Sequence, residues 1–262
     1  MKFNARLFWI LLVSGFFGVL SILLIDLKGL IALLPVREGV EIPEFTPAMY
    51  LLSLVQPTVI LAIAVFAGVL LSPKVGLRSP VAEAFANDGN KLSAFTPQIF
   101  PGIVGGIVGG SLIVLTAYLC SPYLPQDVVV LLGKFAKVLP LPTRLLYGGV
   151  TEELLLRWGF MTFLVWLGWR LFQKGVGTPK PVCFIAAIIL SSLIFAAGHL
   201  PLAFMLIPQP TPALILFVIA ANSVFALIAG LLFWKKGLES AILAHTIAHL
   251  VMFTASYFEA YF

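Results

Sequence analysis

A chain of 262 residues with 61% hydrophobic and only 10% charged residues is not a soluble globular domain, in which about a quarter of residues carry charge. Its formal charge of +5 is spread between apolar runs rather than gathered in a patch, which argues for membrane topology and against a nucleic-acid partner. The mean hydropathy is +1.09, and the only two cysteines, Cys120 and Cys183, each end an apolar run, so no disulfide framework is expected.

A membrane span needs about 20 mostly apolar residues. Seven stretches qualify, at roughly 7–26, 49–71, 99–120, 144–171, 182–200, 212–234 and 238–258. The expected fold is an all-α, polytopic transmembrane helix bundle of about seven spans, with eight the upper count. Lys2 and Arg6 precede the first run, which is too long for a signal peptide and lacks a small-residue cleavage site, so it reads as a retained span. In the third span, "PGIVGGIVGGSLIV", Gly102, Gly106 and Gly110 fall on one helical face with Gly105 and Gly109 beside them, a pattern that lets helices approach closely in lipid. The segment 126–139, "QDVVVLLGKFAKVL", predicts an amphipathic helix on the membrane surface. With the N-terminus inside, ten Lys and Arg lie in inner loops and five in outer ones, Arg157 being the sixteenth, which favours that orientation. Residues 1–139 read as N-terminal helices and loops, and 140–262 as a core that carries the chemistry.

That core holds polar residues where lipid disfavours them. "GGVTEELLLRWGF", residues 148–160, places Glu152, Glu153 and Arg157 in an apolar stretch, and all three histidines, His199, His245 and His249, fall within or at the end of such runs. Ionisable groups at membrane depth cost several kcal/mol and mark function by default. A helix start at the interface would explain the glutamates without chemistry: Thr151 as N-cap, two carboxylates at the positive helix end, and Arg157 as an ordinary i,i+4 partner. Length opposes this, because Trp158–Leu171 alone cannot cross a bilayer and the helix must draw on Leu145–Val150. Adjacent side chains point about 100° apart, so one carboxylate is expected to face a cavity and the other to pair with Arg157. His245 and His249 are i and i+4 on one face, a spacing that suits metal ligands, although Thr246 stands where a zincin would have its glutamate.

The pattern EExxxR (Glu152, Glu153, Arg157), FxxxH (Phe195, His199) and a last motif beginning at His245 resembles the CAAX prenyl protease and bacteriocin-processing enzyme family of intramembrane proteases. The resemblance covers about 140–258. One position departs: His249 stands where the family has Asn or Asp. The resemblance implies an intramembrane endopeptidase of CAAX prenyl endopeptidase type, acting on a membrane-associated protein or peptide. In it Glu152 would activate water with His199, Glu153 and Arg157 would support them, and His245 with His249 would stabilise the oxyanion. Two mechanisms stay open: a metal-free one, and one in which His199, His245 and His249 hold zinc. The expected setting is the lipid bilayer, as an integral multi-pass protein of a bacterial cell membrane. A proton-coupled transporter or channel, or a non-proteolytic membrane scaffold, is the alternative.

Overall fold

The computed structural model describes residues 3–35 and 45–258, so Lys2 and Arg37 of the charge count lie outside the described residues. In chain order the helices are α1 (Ala5–Ser21), α2 (Leu27–Ile31), α3 (Pro47–Ser53), α4 (Val55–Val75), α5 (Pro80–Ala86), α6 (Lys91–Cys120) and α7 (Gln126–Val138). Then come α8 (Leu141–Thr143), two π-helical stretches (Arg144–Thr151 and Leu154–Met161), α9 (Thr162–Gln173), α10 (Pro181–Ala197), α11 (Leu200–Leu206), α12 (Pro212–Lys235) and α13 (Leu238–Tyr257). Among the described residues there is no strand.

Local chemistry sets several of these boundaries. The side chains of Asn4, Thr46, Asn90 and Thr211 accept backbone N–H bonds at the starts of α1, α3, α6 and α12, satisfying donors a helix leaves unpaired. Gly76, at φ +76°, closes α4 in the left-handed conformation. The cap at Asn90 starts α6 eight residues before the expected edge at 99, with Pro97 and Pro101 inside the helix. Helix α7 coincides with the amphipathic segment expected at 126–139, and Arg144 closes its C-terminal end by donating to the carbonyls of Ala136 and Leu139.

Six helical segments are long and apolar enough to cross a membrane: Ala5–Leu24, Pro47–Val75, Lys91–Tyr123, Pro181–Leu206, Pro212–Lys235 and Leu238–Tyr257. The remaining expected span, 144–171, is helical throughout from 141 to 173, but it is divided into α and π pieces and carries Arg144, Glu152, Glu153, Arg157 and Arg170. Outward faces such as Leu52, Ile63, Phe100 and Leu216 are apolar and exposed, as a lipid-facing surface requires. The protein is an integral, multi-pass membrane protein with an all-α fold.

The polar segment 141–173 lies among the other helices. Helix α1 runs antiparallel to it. Thr143 donates to Ser21 O at 2.7 Å and Thr151 to Gly15 O at 2.7 Å, and a Cβ on Gly18 would strike Thr151 and the Leu146 carbonyl. Helix α4 runs parallel to it: Gly159 sits on Ala64, and Gly68 lies under Trp158, whose indole N–H donates to Val65 O at 3.4 Å. Across the bundle the glycine stripe packs two partners. Gly102, Gly106 and Gly110 lie on Leu243, Ile247 and Val251 of the parallel α13, while Gly105 and Gly109 lie on Leu232 and Phe225 of α12. With apolar lipid as solvent, helix association draws on such close van der Waals contact.

The α12–α13 turn is fixed from outside. Glu239 accepts from the Ser79 hydroxyl at 2.7 Å and from the Val81 and Ala82 amides at 2.9 and 3.0 Å, and Gln98 donates to Lys236 O at 2.9 Å. These bonds set the position of α13, which carries two histidines.

Candidate active site

Three of the polar groups, Glu153, Arg157 and His245, meet directly. Glu153 is fully buried and shares one oxygen between two partners: Arg157 at 3.2 Å and His245 Nδ1 at 2.7 Å. Arg157, 1% exposed, donates to the Ala226 carbonyl of α12 at 3.1 Å and lies over the Phe195 ring of α10 at 5.2 Å. One guanidinium thus joins the segment 141–173 to α10 and α12, and one carboxylate joins it to α13. Charges at this depth are tolerated when paired and hydrogen-bonded.

Glu152 is the other kind of carboxylate. Its side chain keeps 21% exposure, and its nearest charged-group contact is His245 Nε2, at 3.9 Å. That is longer than a direct hydrogen bond, and the two groups can share a small molecule held to one side of the line between them. Of the two glutamates, Glu153 is the one spent on Arg157, and Glu152 is the one left open.

The histidines occupy three different situations. His245 is buried. It donates Nδ1–H to Glu153, which leaves Nε2 with a lone pair on the side of Glu152. His199 is half-buried, bonds through Nδ1 to its own Phe195 carbonyl at 2.9 Å, and packs edge-on against the Phe195 ring with centroids 4.8 Å apart. His249 stacks on His245 with ring centroids 4.9 Å apart and planes 10° from parallel, and both of its nitrogens are buried without a hydrogen-bond partner.

Phe195 is the hub between them. Its ring stands 6.1 Å from that of His245, so the FxxxH histidine reaches the cluster through an aromatic face. Among the described residues no hydrogen bond or ion pair joins His199 to Glu152; the histidine that approaches Glu152 is His245.

The three histidines considered for zinc are not assembled as a ligand set. Among the described residues no group of three or more His, Cys, Asp and Glu is placed to hold a metal ion. His245 and His249 face each other ring to ring instead of converging at their nitrogens.

The local backbone explains why the cluster closes. Glu152 and Glu153 sit at the joint between the two π-helical stretches, a geometry often found at functional sites. Just before them, Gly148 and Gly149 admit α13: a Cβ at Gly148 would come within 2.3 Å of His249 Nε2, and one at Gly149 within 2.5 Å of the Thr246 hydroxyl. The sequence offered no signal for Phe225, whose ring stands 4.4 Å from His245, or for the Ala226 carbonyl that takes Arg157. Both belong to a helix that looks uniformly apolar.

In a multi-pass helical membrane protein, paired carboxylates, an arginine and histidines sealed among the spans mark a functional site inside the bilayer. Residues 134–251, which hold every member of the cluster, match the sequence model of a family described as "Type II CAAX prenyl endopeptidase Rce1-like". The match points to protease, hence hydrolase, chemistry on a membrane-associated substrate. No curated protein and no solved structure shows significant similarity to the chain.

Proposed function

We propose that the protein is an intramembrane endopeptidase in which Glu152 acts as general base on a water molecule. The observation that carries this reading is the division of labour between the glutamates: Glu153 is consumed by Arg157 and His245, and Glu152 stands open 3.9 Å from the unspent Nε2 of His245. A water beside that pair gives its proton to Glu152 as its oxygen attacks the scissile carbonyl. The peptide carbonyl becomes an oxyanion. His249 is the histidine with no nitrogen engaged, so its N–H is the one available to that oxygen. Collapse of the intermediate breaks the C–N bond, and Glu152 returns the proton to the leaving amine. The products are a carboxylate and a free amine.

The remaining residues position these groups. Glu153 fixes the tautomer and orientation of His245, Arg157 holds Glu153, and Phe195 separates Arg157 from His199. His199, with Nδ1 spent on a carbonyl, offers Nε2 as an acceptor toward the same water. Because His245 and His249 stack ring to ring instead of converging at their nitrogens, the metal-free form of the mechanism is the one we propose.

Purified protein in detergent, with a panel of internally quenched membrane-anchored peptides, tests the assignment. Glu152→Gln is expected to lower turnover at least about 100-fold while the unfolding temperature stays that of the parent. Undiminished turnover by that variant would refute it. A folded parent chain that cleaves no peptide would favour the scaffold reading.

A further inference from the structure

The N-terminal helices lie outside the residues matched to the family, yet one of them borders the reactive segment. Between the start of α4 and the π-helical stretches is a cavity of about 270 Å³ lined by Gln56, Pro57, Ile60, Tyr147 and Leu155. Tyr147 and Leu155 flank Glu152 on one helix, five residues before it and three after it. In a π-helix, with its i→i+5 bonding, residues five apart come round to neighbouring positions on the surface, and the Glu152 carboxylate lies within electrostatic reach of the Tyr147 hydroxyl. Gln56 and Ile60 are exposed on the outer side, so the cavity opens between α4 and the segment 141–173 toward the surrounding lipid.

Its polar groups are unusual for their position. Gln56 lies inside the apolar segment Pro47–Val75, where a polar side chain is costly unless it is satisfied. Neither its amide nor the Tyr147 hydroxyl makes a hydrogen bond to another described residue. Across the cavity from each other, they present a donor and acceptor pair on one wall and a hydroxyl on the other, with Pro57, Ile60 and Leu155 between.

We propose that this cleft receives the stretch of peptide substrate adjoining the scissile bond, with Gln56 and Tyr147 bonding its backbone and Ile60, Pro57 and Leu155 taking one apolar side chain. The inference rests on the endopeptidase reading and deepens it by naming where the substrate lies. The chemistry fits one occupant. A peptide must be unwound before it can be cut, and unwound backbone in lipid leaves amide N–H and C=O groups without partners. An amide and a hydroxyl that are themselves unpartnered supply what such a segment lacks. A purely hydrocarbon ligand would have no use for them. The volume falls just under the roughly 300–1,000 Å³ of whole small-molecule sites, and so suits a side chain and a short run of backbone.

Two measurements on the full-length protein in detergent test the cleft. The first is cleavage of short apolar-tailed peptides by Gln56→Leu and Tyr147→Phe. Each is expected to raise KM roughly five- to tenfold, the effect of one lost hydrogen bond, with kcat within about twofold of the parent. A merely structural role would move the unfolding temperature or kcat instead. The second needs no turnover: a photoreactive benzophenone side chain at position 60, in the Glu152→Gln background, is expected to label the same peptides, and Gln56→Leu to reduce the labelling. Cleavage by the parent with no labelling and an unchanged KM in both variants would overturn the cleft and leave the endopeptidase intact. Labelling without any cleavage by the parent would support peptide docking and overturn the endopeptidase reading. Neither labelling nor cleavage would overturn the cleft outright.

Discussion

Replacing Arg157 by alanine tests whether the buried ion pair holds the bundle together. The guanidinium contributes an ion pair at 3.2 Å to Glu153, a hydrogen bond at 3.1 Å to the Ala226 carbonyl, and a face over Phe195 at 5.2 Å. Two unit charges 3.2 Å apart attract by about 5 kcal/mol at an effective dielectric near 20. Removing one partner of a buried pair typically costs about 3–5 kcal/mol, because the other charge stays buried and uncompensated. Here the residual charge is acute: Glu153 Oε2 already has no hydrogen-bond partner, and Oε1 would be left with His245 alone. The loss corresponds to a fall in unfolding temperature on the order of 10 °C. The chain carries its own reporter, since Cys183 is a free, buried thiol that a fluorogenic thiol reagent reaches on unfolding. Arg157→Met combined with Glu153→Gln removes both charges and is expected to recover most of the loss. If Arg157→Ala unfolds within a degree or two of the parent, or if the double variant is no better than the single one, the pair is not the brace described above.

Three further outcomes are expected. Gly148→Ala drives a methyl group into the place of His249 Nε2, now 2.3 Å from an ideal Cβ, so turnover should fall far more than stability; unchanged turnover would remove His249 from the mechanism. Extensive treatment with chelators should leave activity intact, and stoichiometric zinc lost together with activity in His245→Ala and His249→Ala, measured by elemental analysis, would overturn the metal-free mechanism. Pro142 is exposed at the start of the segment 141–173, and a cysteine placed there is expected to react with an impermeant reagent in intact cells if the N-terminus faces inward; protection from that reagent would reverse the orientation.

The spans were legible because bilayer thickness fixes the length of an apolar run, and the glycine stripe because a period near 3.6 places Gly102, Gly106 and Gly110 on one face whatever they touch. That two partner helices share the stripe, α13 on one side and α12 on the other, depends on how the bundle closes and leaves no mark on the α6 sequence. In the cluster, spacing indicated which residues belong together, and the i,i+4 relation of Glu153 and Arg157 was readable directly. The roles of the histidines were not. His245 rather than His199 approaches Glu152 because α13 is seated by Glu239 and by the bare backbone at Gly148 and Gly149, contacts between segments nearly a hundred residues apart or more. Gln56 carries no signal of its own in the sequence, since nothing in its helix shows that Tyr147 stands opposite. The segment 141–173 also defeats arithmetic based on 100° per residue, because π turns advance each side chain by less.

Those π turns set how the chain answers to deletion, which substitution does not reveal. A π turn is an α-helix carrying one residue more than its regular geometry needs. Loss of one residue between Arg144 and Thr151 would let that stretch relax to ordinary helix, and the downstream side chains would keep nearly the same face, because the wide turn had absorbed the extra residue. Glu153 and Arg157 would stay turned toward His245 and the Ala226 carbonyl. The same loss in a regular helix would rotate everything after it by about 100°. What the deletion would change is local: the bare backbone at Gly148 and Gly149 would shift against Thr246 and His249, so the extra residue belongs to the seat of α13 rather than to the ion pair.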